Sequence, residues 1–477
     1  MPETIGEIKS AIAAFRNEQT WLRLRTRWEQ DFDLYRLKAY DAGKGYYSYT
    51  TNHARVFAKK VISLLSKSAL IIQVPLDVLT AEDRRIASNI ERFQYGILNI
   101  NDERLALIPH MPNLQQQMAW YIALRGSFAI RAYIHKDDNK KTIPRIDVWD
   151  IYNVAFGEGY KGLSWVAHTR KATNAQIKEE YNIDIMAKPD ADIIEFSTNT
   201  KYGVIVGDEW GIKLEEHGLD YNPVSIIAVG DTPIVWQENY AHTALHVAES
   251  ILADNRDLYP ILNKTLSDHL SVVRRGVKPP MAHYTFDGRL IEDVDIYQVE
   301  KAAQIPMRVG EKIEPIIPPT MPADTSASLE MIAGDIQRGS APHTTYGTVS
   351  TRLSGFAINK LNEAVETVLQ PCLTAMERAY KTAGLWMQGQ YATGKFKPLA
   401  LRGRTSRGEI FGVPRRTVIR VSELKGDWTP EYKLEPTLPE DDAQKYYLAN
   451  LAGQPDSTGI PLLSMQSRRE LVGVKDP

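Results

Sequence analysis

From Gly355 to Trp386 the chain carries its strongest helical period, with Leu361, Val365, Val368, Leu369, Cys372, Leu373 and Met376 on one face. The pattern runs on through Pro371. A helix of that length fixes the layout of whatever packs along it. At 477 residues the chain is also too long for one compact core, and roughly three structural units are expected. Hydrophobic residues at 43% and charged residues at 24% are the balance of a folded protein and exclude bulk disorder.

Ahead of this helix the period changes several times. Ile5 to about Tyr40 reads as a surface helix pair, with Ile12, Phe15, Trp21, Leu22, Trp28 and Phe32 as an irregular apolar stripe. Asn52–Leu70 predicts a helix with Val56, Val61, Leu64 and Leu65 inward, and Asp83–Asn99 another through Ile86, Ile90, Phe93 and Ile97. A helix over 114–126 ends at Gly126. Residues 127–134 then alternate as a strand, and strands at 145–149, 163–170, 192–197 and 224–229 make 127–235 a sheet-rich segment. His242–Arg275 predicts a long helix broken or kinked at Pro260. The Pro-rich stretch 277–320 contains short β-like pieces such as 296–299, and Asp324–Arg338 is helical again. A polar loop over 340–354 leads into the long helix; strands over 395–435 and short helices at 439–451 and 463–472 follow. The fold class is α+β.

Several functions are disfavoured by composition. The 57 basic and 59 acidic residues leave a net charge of −2, too little to hold the chain on nucleic acid or an anionic membrane. Neutrality is compatible with DNA in transit. Cys372 is the single cysteine, so an intrachain disulfide and a four-cysteine zinc site are impossible and a reducing compartment is expected. Met1 is followed by polar sequence rather than a signal peptide, and no apolar run approaches the ~20 residues a bilayer span needs.

The chemical motifs are weak one by one. Gly157, Gly159 and Gly162 spell a dinucleotide fingerprint, but a strand follows where a phosphate-binding helix is required, so a β-turn is expected. His242 and His246, with Glu249 one turn on, could hold a divalent metal, and a metal-dependent hydrolase is the alternative they leave open. Thr243 stands where a zincin carries its catalytic glutamate. Ser267-Asp268-His269 are consecutive on a helix and cannot converge as a triad, and Asn263-Lys264-Thr265 is an accidental sequon. The basic cluster Lys395, Lys397, Arg402, Arg404, Arg407, Arg415, Arg416 and Arg420 could touch phosphates, form a solvated surface or meet an acidic neighbour. Asp287, Glu292, Asp293, Asp295 and Glu300, with Arg289 among them, read as a docking surface. A nucleic-acid-binding module built on the basic cluster is a third reading.

The order long helix, small Pro-rich β piece, second helix, polar loop and very long helix resembles the central half of tailed-phage portal proteins. Ser340-Ala341-Pro342 and Leu353-Ser354-Gly355-Phe356-Ala357-Ile358 are similar to that family's loop and its entry into the long helix. Asp427-Trp428, Leu434-Glu435-Pro436, Leu438-Pro439-Glu440-Asp441-Asp442 and the closing Leu463 to Pro477 resemble a last wing strand and crown. The resemblance implies an α/β wing over 1–242, first stem helix over 243–275, clip over 276–320 and second stem helix over 321–338. It then implies a tunnel loop over 339–354, long wing helix over 355–389, wing strands over 390–436 and short helical crown over 437–477. It implies a non-enzymatic subunit without cofactor in a ring of twelve, at one capsid vertex of a virion assembled in the host cytoplasm. Double-stranded DNA would pass the loop residues His343, Thr344, Thr345, Tyr346, Thr348, Ser350 and Arg352. The implied partners are the large terminase, a head-tail adaptor, and the major capsid and scaffolding proteins; no membrane is implied.

Overall fold

Helix α1 (Ile5–Asn17) starts at a capping box, in which the Thr4 hydroxyl accepts from the Glu7 N–H and the Glu7 carboxylate accepts from the Thr4 N–H. The computed structural model describes residues 1–75, 80–136, 142–160, 162–185, 189–229, 248–277, 281–285, 309–315, 325–340, 355–403, 415–424 and 428–436. Helix and sheet are mixed in an α+β chain of two units. One comprises Met1–Phe32, Ala58–Ala253 and Ala341–Pro477; the other comprises Asp33–Phe57 and Asp254–Ser340.

In the first unit α1 and α2 (Gln19–Tyr35) form the expected surface pair, each burying one narrow stripe and leaving its other residues exposed or half-exposed. Ile8 and Ile12 pack on Ala155, Ala167, Ile194, Phe196 and Ile205, while Trp21 and Trp28 meet edge to face at 5.2 Å over Trp149, Ile151 and Val166. Most polar residues of α2 occupy its other face, but Asp31 is buried and accepts from the Ser250 hydroxyl at 2.7 Å. Along α3 (His53–Lys67) the buried face runs through Ala54, Phe57, Ala58, Val61 and Leu65 at helical spacing, which turns Val56 outward instead of in. Strand β1 (Ala69–Gln73) and helix α4 (Ala81–Ala106) follow, with Ile90, Phe93 and Ile97 buried. Helix α5 (Leu114–Arg125) stops at Gly126, whose φ of +67° suits glycine and whose absent Cβ leaves room for the Glu249 carbonyl.

Strands β2 (Ser127–Lys136), β3 (Thr142–Asp150), β4 (Val154–Gly159), β5 (Gly162–Thr173), β6 (Asp190–Thr198), β7 (Lys201–Val206), β8 (Glu209–Glu216) and β9 (Val224–Ala228) build two antiparallel sheets. One is ordered β3-β2-β9, the other is the meander β4-β5-β6-β7-β8. The glycine cluster is a hairpin, with Gly159 opposite Gly162, as its missing helix predicts. Period-2 alternation sends Ile194 and Phe196 to the α1 side and Ile193 to the side of α6 (Asn174–Tyr181). Sequence reading misses β4, β7, β8 and α6. Strand β8 is a charged edge in which Trp210, Ile212 and Leu214 alternate with Glu209, Lys213 and Glu215, a strand signal legible in the sequence.

In the second unit α7 (Leu258–Val277) begins much later than the helix expected from His242. Residues 248–257 are turns and a short 3-10 piece, and Pro260 sits in the first helical turn, where its missing N–H costs nothing. Strands β10 (Met281–Tyr284) and β11 (Lys312–Pro315) pair antiparallel, and α8 (Thr325–Arg338) packs against α7. The expected strand at 296–299 lies outside the described residues.

The return to the first unit is α9 (Gly355–Ala392), 38 residues or about 57 Å at 1.5 Å per residue. Val365, Leu369, Cys372, Leu373 and Met376 are buried as expected, whereas Val368 is exposed; the Leu361 side chain lies outside the description. Beyond Arg131, where β9 stops pairing, the Gln390 amide takes over β2: it accepts from the Ile134 N–H at 2.8 Å and donates to the Ala132 carbonyl at 3.1 Å. Strands β12 (Leu399–Gly403) and β13 (Arg415–Ile419) pair, and β14 (Glu431–Glu435) joins β1 with Ala69 opposite Glu435. The crown helices expected after 437 lie outside the described residues.

Candidate functional site

Asn263, Ser267 and Ser271 stand four residues apart on α7 and form its buried face together with Tyr259 and Leu262. The Ser267 and Ser271 hydroxyls donate to the carbonyls four residues back, at 2.7 Å each, which leaves their oxygens free to accept. An extended strap uses them: Tyr47, Tyr49 and Thr51 donate their backbone N–H groups to Ser271, Ser267 and Asn263 at 2.7, 2.9 and 2.9 Å. The spacing matches because four helical residues rise about 6 Å and two extended residues about 6.6 Å. Leu258, Leu266 and Leu270 are only half-buried because this polar strip, with Tyr259 and Leu262, holds the inner face. Ser267 of the dismissed triad and Asn263 of the dismissed sequon thus hold the strap together with Ser271. Small polar residues at every fourth position of a helix were the signal for it.

Tyr46, Tyr47 and Tyr49 are exposed on the strap, with Arg275 over the Tyr46 ring at 5.4 Å and Arg274 over Tyr47 at 6.0 Å. At the far end of α8, buried Asn255 donates to the Ile336 carbonyl at 2.9 Å and lies against Gly339. That bond satisfies a carbonyl the helix end leaves open. The expected loop 339–354 therefore departs from an anchored point, while His343, Thr344, Thr345, Tyr346, Thr348, Ser350 and Arg352 lie outside the described residues.

The other expected sites are only partly described. Lys395, Lys397 and Arg402 are exposed, and the register sets Arg402 opposite Arg416 and Gly403 opposite Arg415. Arg404 and Arg407 lie outside the described residues, as do the side chains of Arg415 and Arg416 and the docking residues Asp287, Arg289, Glu292, Asp293 and Asp295. His242 and His246 are likewise outside, and Glu249 pairs with Arg27 at 3.2 Å. Among the described residues no group of three or more His, Cys, Asp or Glu could hold a metal ion, and no helix is long and apolar enough to cross a membrane.

Sequence reading missed the most concentrated chemistry in the first unit. Arg131 of β2 lies between the rings of Tyr133 and Tyr202, at 4.0 and 4.2 Å, and donates to Glu195 of β6 at 2.7 Å. Arg145 and Arg104 share Asp147 of β3 at 3.0 Å each, and Arg170 pairs with Glu180 at 2.5 Å. His168 stacks on Trp149 at 4.5 Å with the rings 4° from parallel. Burial would push the Glu195 carboxyl up, but the His168 ring and the Arg131 and Arg145 guanidiniums outweigh it and hold the group at about 2. Burial likewise raises the Tyr202, Tyr181 and Tyr133 phenols, which stay neutral donors. The cluster couples the two sheets through charge. A cavity of about 500 Å³ opens beside it. Arg131, Asp147 and Glu195 share strand faces with Ala129, Trp149 and Ile193, and the burial of that second face is what alternation with Ile130, Ile146 and Ile194 does not signal.

No protein-family model and no curated protein matches the chain. It is similar to solved chains from three particle structures. The neck of an empty gene transfer agent (GTA) particle computed with C6 symmetry matches at TM-score 0.46 and 13% identity, covering 96% of this chain and 94% of that one. The virion of a native GTA particle gives 0.43 and 13%, covering 98% of each. The neck of a native GTA particle computed with C12 symmetry gives 0.42 and 13%, covering 88% and 89%.

Proposed function

We propose that the chain is a structural, non-enzymatic portal subunit: a ring-forming wall of the DNA channel at a capsid vertex, docking the packaging motor and the head-tail adaptor. One stretch of chain carries the reading. It runs from α7 through the β10–β11 pair to α8, continues through 341–354 and returns along the 38-residue α9. This order is the one on which the portal resemblance rests.

The energetics of the second unit support it. Among its described residues α8 buries only Ile336, while Met331 on α8 and Ile261, Val273 and Val277 on α7 are exposed. A unit that leaves this much apolar surface in water is completed by a neighbour, and two different faces used head to tail close into a ring. In that ring 341–354 faces the bore, and its Thr, Ser and Gly residues make few phosphate contacts, so DNA slides.

Light scattering on the purified protein, backed by negative-stain images, tests the ring. The expected result is particles of about twelve 53.9 kDa chains with a central hole. A stable monomer across concentration and salt overturns it. Deleting Thr344 to Arg352 is expected to spare the ring and impair DNA packaging, and normal packaging would sink the loop assignment.

A further inference from the structure

The cavity beside the Arg131 cluster has walls suited to a ligand. Its side walls are apolar and aromatic, with Tyr181, Ile212, Leu219 and Phe396 among them, and Arg131, Arg145 and Lys395 line it as cations. At about 500 Å³ it lies within the usual range for a small organic ligand.

Charge around it is not balanced. Three cations line the cavity, Arg131, Arg145 and Lys395, against the two carboxylates Glu180 and Glu195. Two cations have to share Asp147, and Lys395 pairs with no carboxylate among the described residues. Arg145 engages Asp147 through its Nε, with its side chain partly exposed. Arg131, whose side chain is 4% exposed, has its Nε without a hydrogen-bond partner among the described residues. A buried donor of this kind beside a surplus of positive charge favours an oxyanion.

We infer that this cavity binds a small organic oxyanion, a phosphate or carboxylate carried on a flat apolar body. The oxyanion meets Arg145 and Lys395 at the mouth, and the apolar body lies between Tyr181 and Phe396. The phenols of Tyr181 and Tyr202 donate to Glu180 and Glu195 and, being neutral, add no negative charge against the ligand. The site belongs to the first unit and does not depend on the ring reading.

Calorimetric titration of the full-length protein with 1-naphthyl phosphate, 1-naphthoate and uncharged 1-naphthol tests this. The expected result is saturable binding of one anion per chain, with 1-naphthol at least about tenfold weaker, the factor one charge-assisted hydrogen bond supplies. The stronger of the two anions identifies the oxyanion. Lys395→Glu should weaken binding by about tenfold or more, with Lys395→Gln in between. Lys395→Arg and the exposed neighbour variant Lys397→Glu should leave it unchanged. Absence of saturable binding by both anions, equal binding of 1-naphthol, or an unchanged constant in Lys395→Glu each overturns the site. Unaltered melting of the Lys395 variants confirms that a loss of affinity is local.

Discussion

At the residue scale, the pair Arg131 and Glu195 is the most consequential contact in the first unit. Both side chains are nearly sealed from water, so each is tolerable only because the other is present. Glu195→Gln strands the guanidinium and is expected to cost about 3–5 kcal/mol, read as a lower urea midpoint at pH 7. Replacing both residues, Arg131→Met with Glu195→Gln, should restore part of that loss, because no buried charge is then unpaired. A double variant less stable than Glu195→Gln alone would refute the account. The sign of the pH dependence follows from the depressed carboxyl. Its contribution is complete above the ordinary glutamate value of 4.5 and disappears as pH falls toward about 2. Acid unfolding between those limits should therefore be shallower in Glu195→Gln than in the native chain.

Elements meet here through backbones that approach closely and through small polar residues. On α4, a Cβ at Gly96 would stand 2.6 Å from the Leu401 Cβ of β12, an atom that side-chain rotation cannot move away. Gly96→Ala is expected to cost about 1–3 kcal/mol by overpacking, measured as a lower thermal midpoint. The strap makes the opposite case. Ser267→Ala removes the acceptor of the Tyr49 N–H and should cost about 1–2 kcal/mol, with faster amide hydrogen exchange at Tyr49 than at amides of α4. Unchanged exchange at Tyr49 would mean that the strap holds without the serine. None of this is legible in hydropathy: the inner face of α7 is its polar strip, and the leucine period that predicts the helix marks a half-buried side.

For the whole molecule, near-neutrality is an average over a chain whose basic residues concentrate between 395 and 420. The proposed ring needs exposed apolar residues of the second unit as contact surface. Val273→Asp or Met331→Asp is therefore expected to yield monomers by light scattering while the first unit's unfolding midpoint stays in place. Rings that survive both substitutions would place the subunit contacts elsewhere. The two unit assignments also show what linear reading smooths over. Residues 33–57, which the portal resemblance groups with an α/β wing over 1–242, cluster with 254–340.

What the sequence by itself determined is local. The capping boxes at Thr4 and Asn113, the stop at Gly126 and the apolar period of α9 set their elements within a few residues, because caps and helical periods are satisfied by near neighbours in the chain. Only the tertiary structure decided which distant strands meet. Alternation tells which side of a strand faces inward, and it does not tell that Glu195 lies across from Arg131, that β14 closes on β1, or that Asn263 receives Thr51. Those pairings join residues tens to hundreds of positions apart. They are selected by the combined burial of two sheets and a long helix, a sum to which no local segment holds the key.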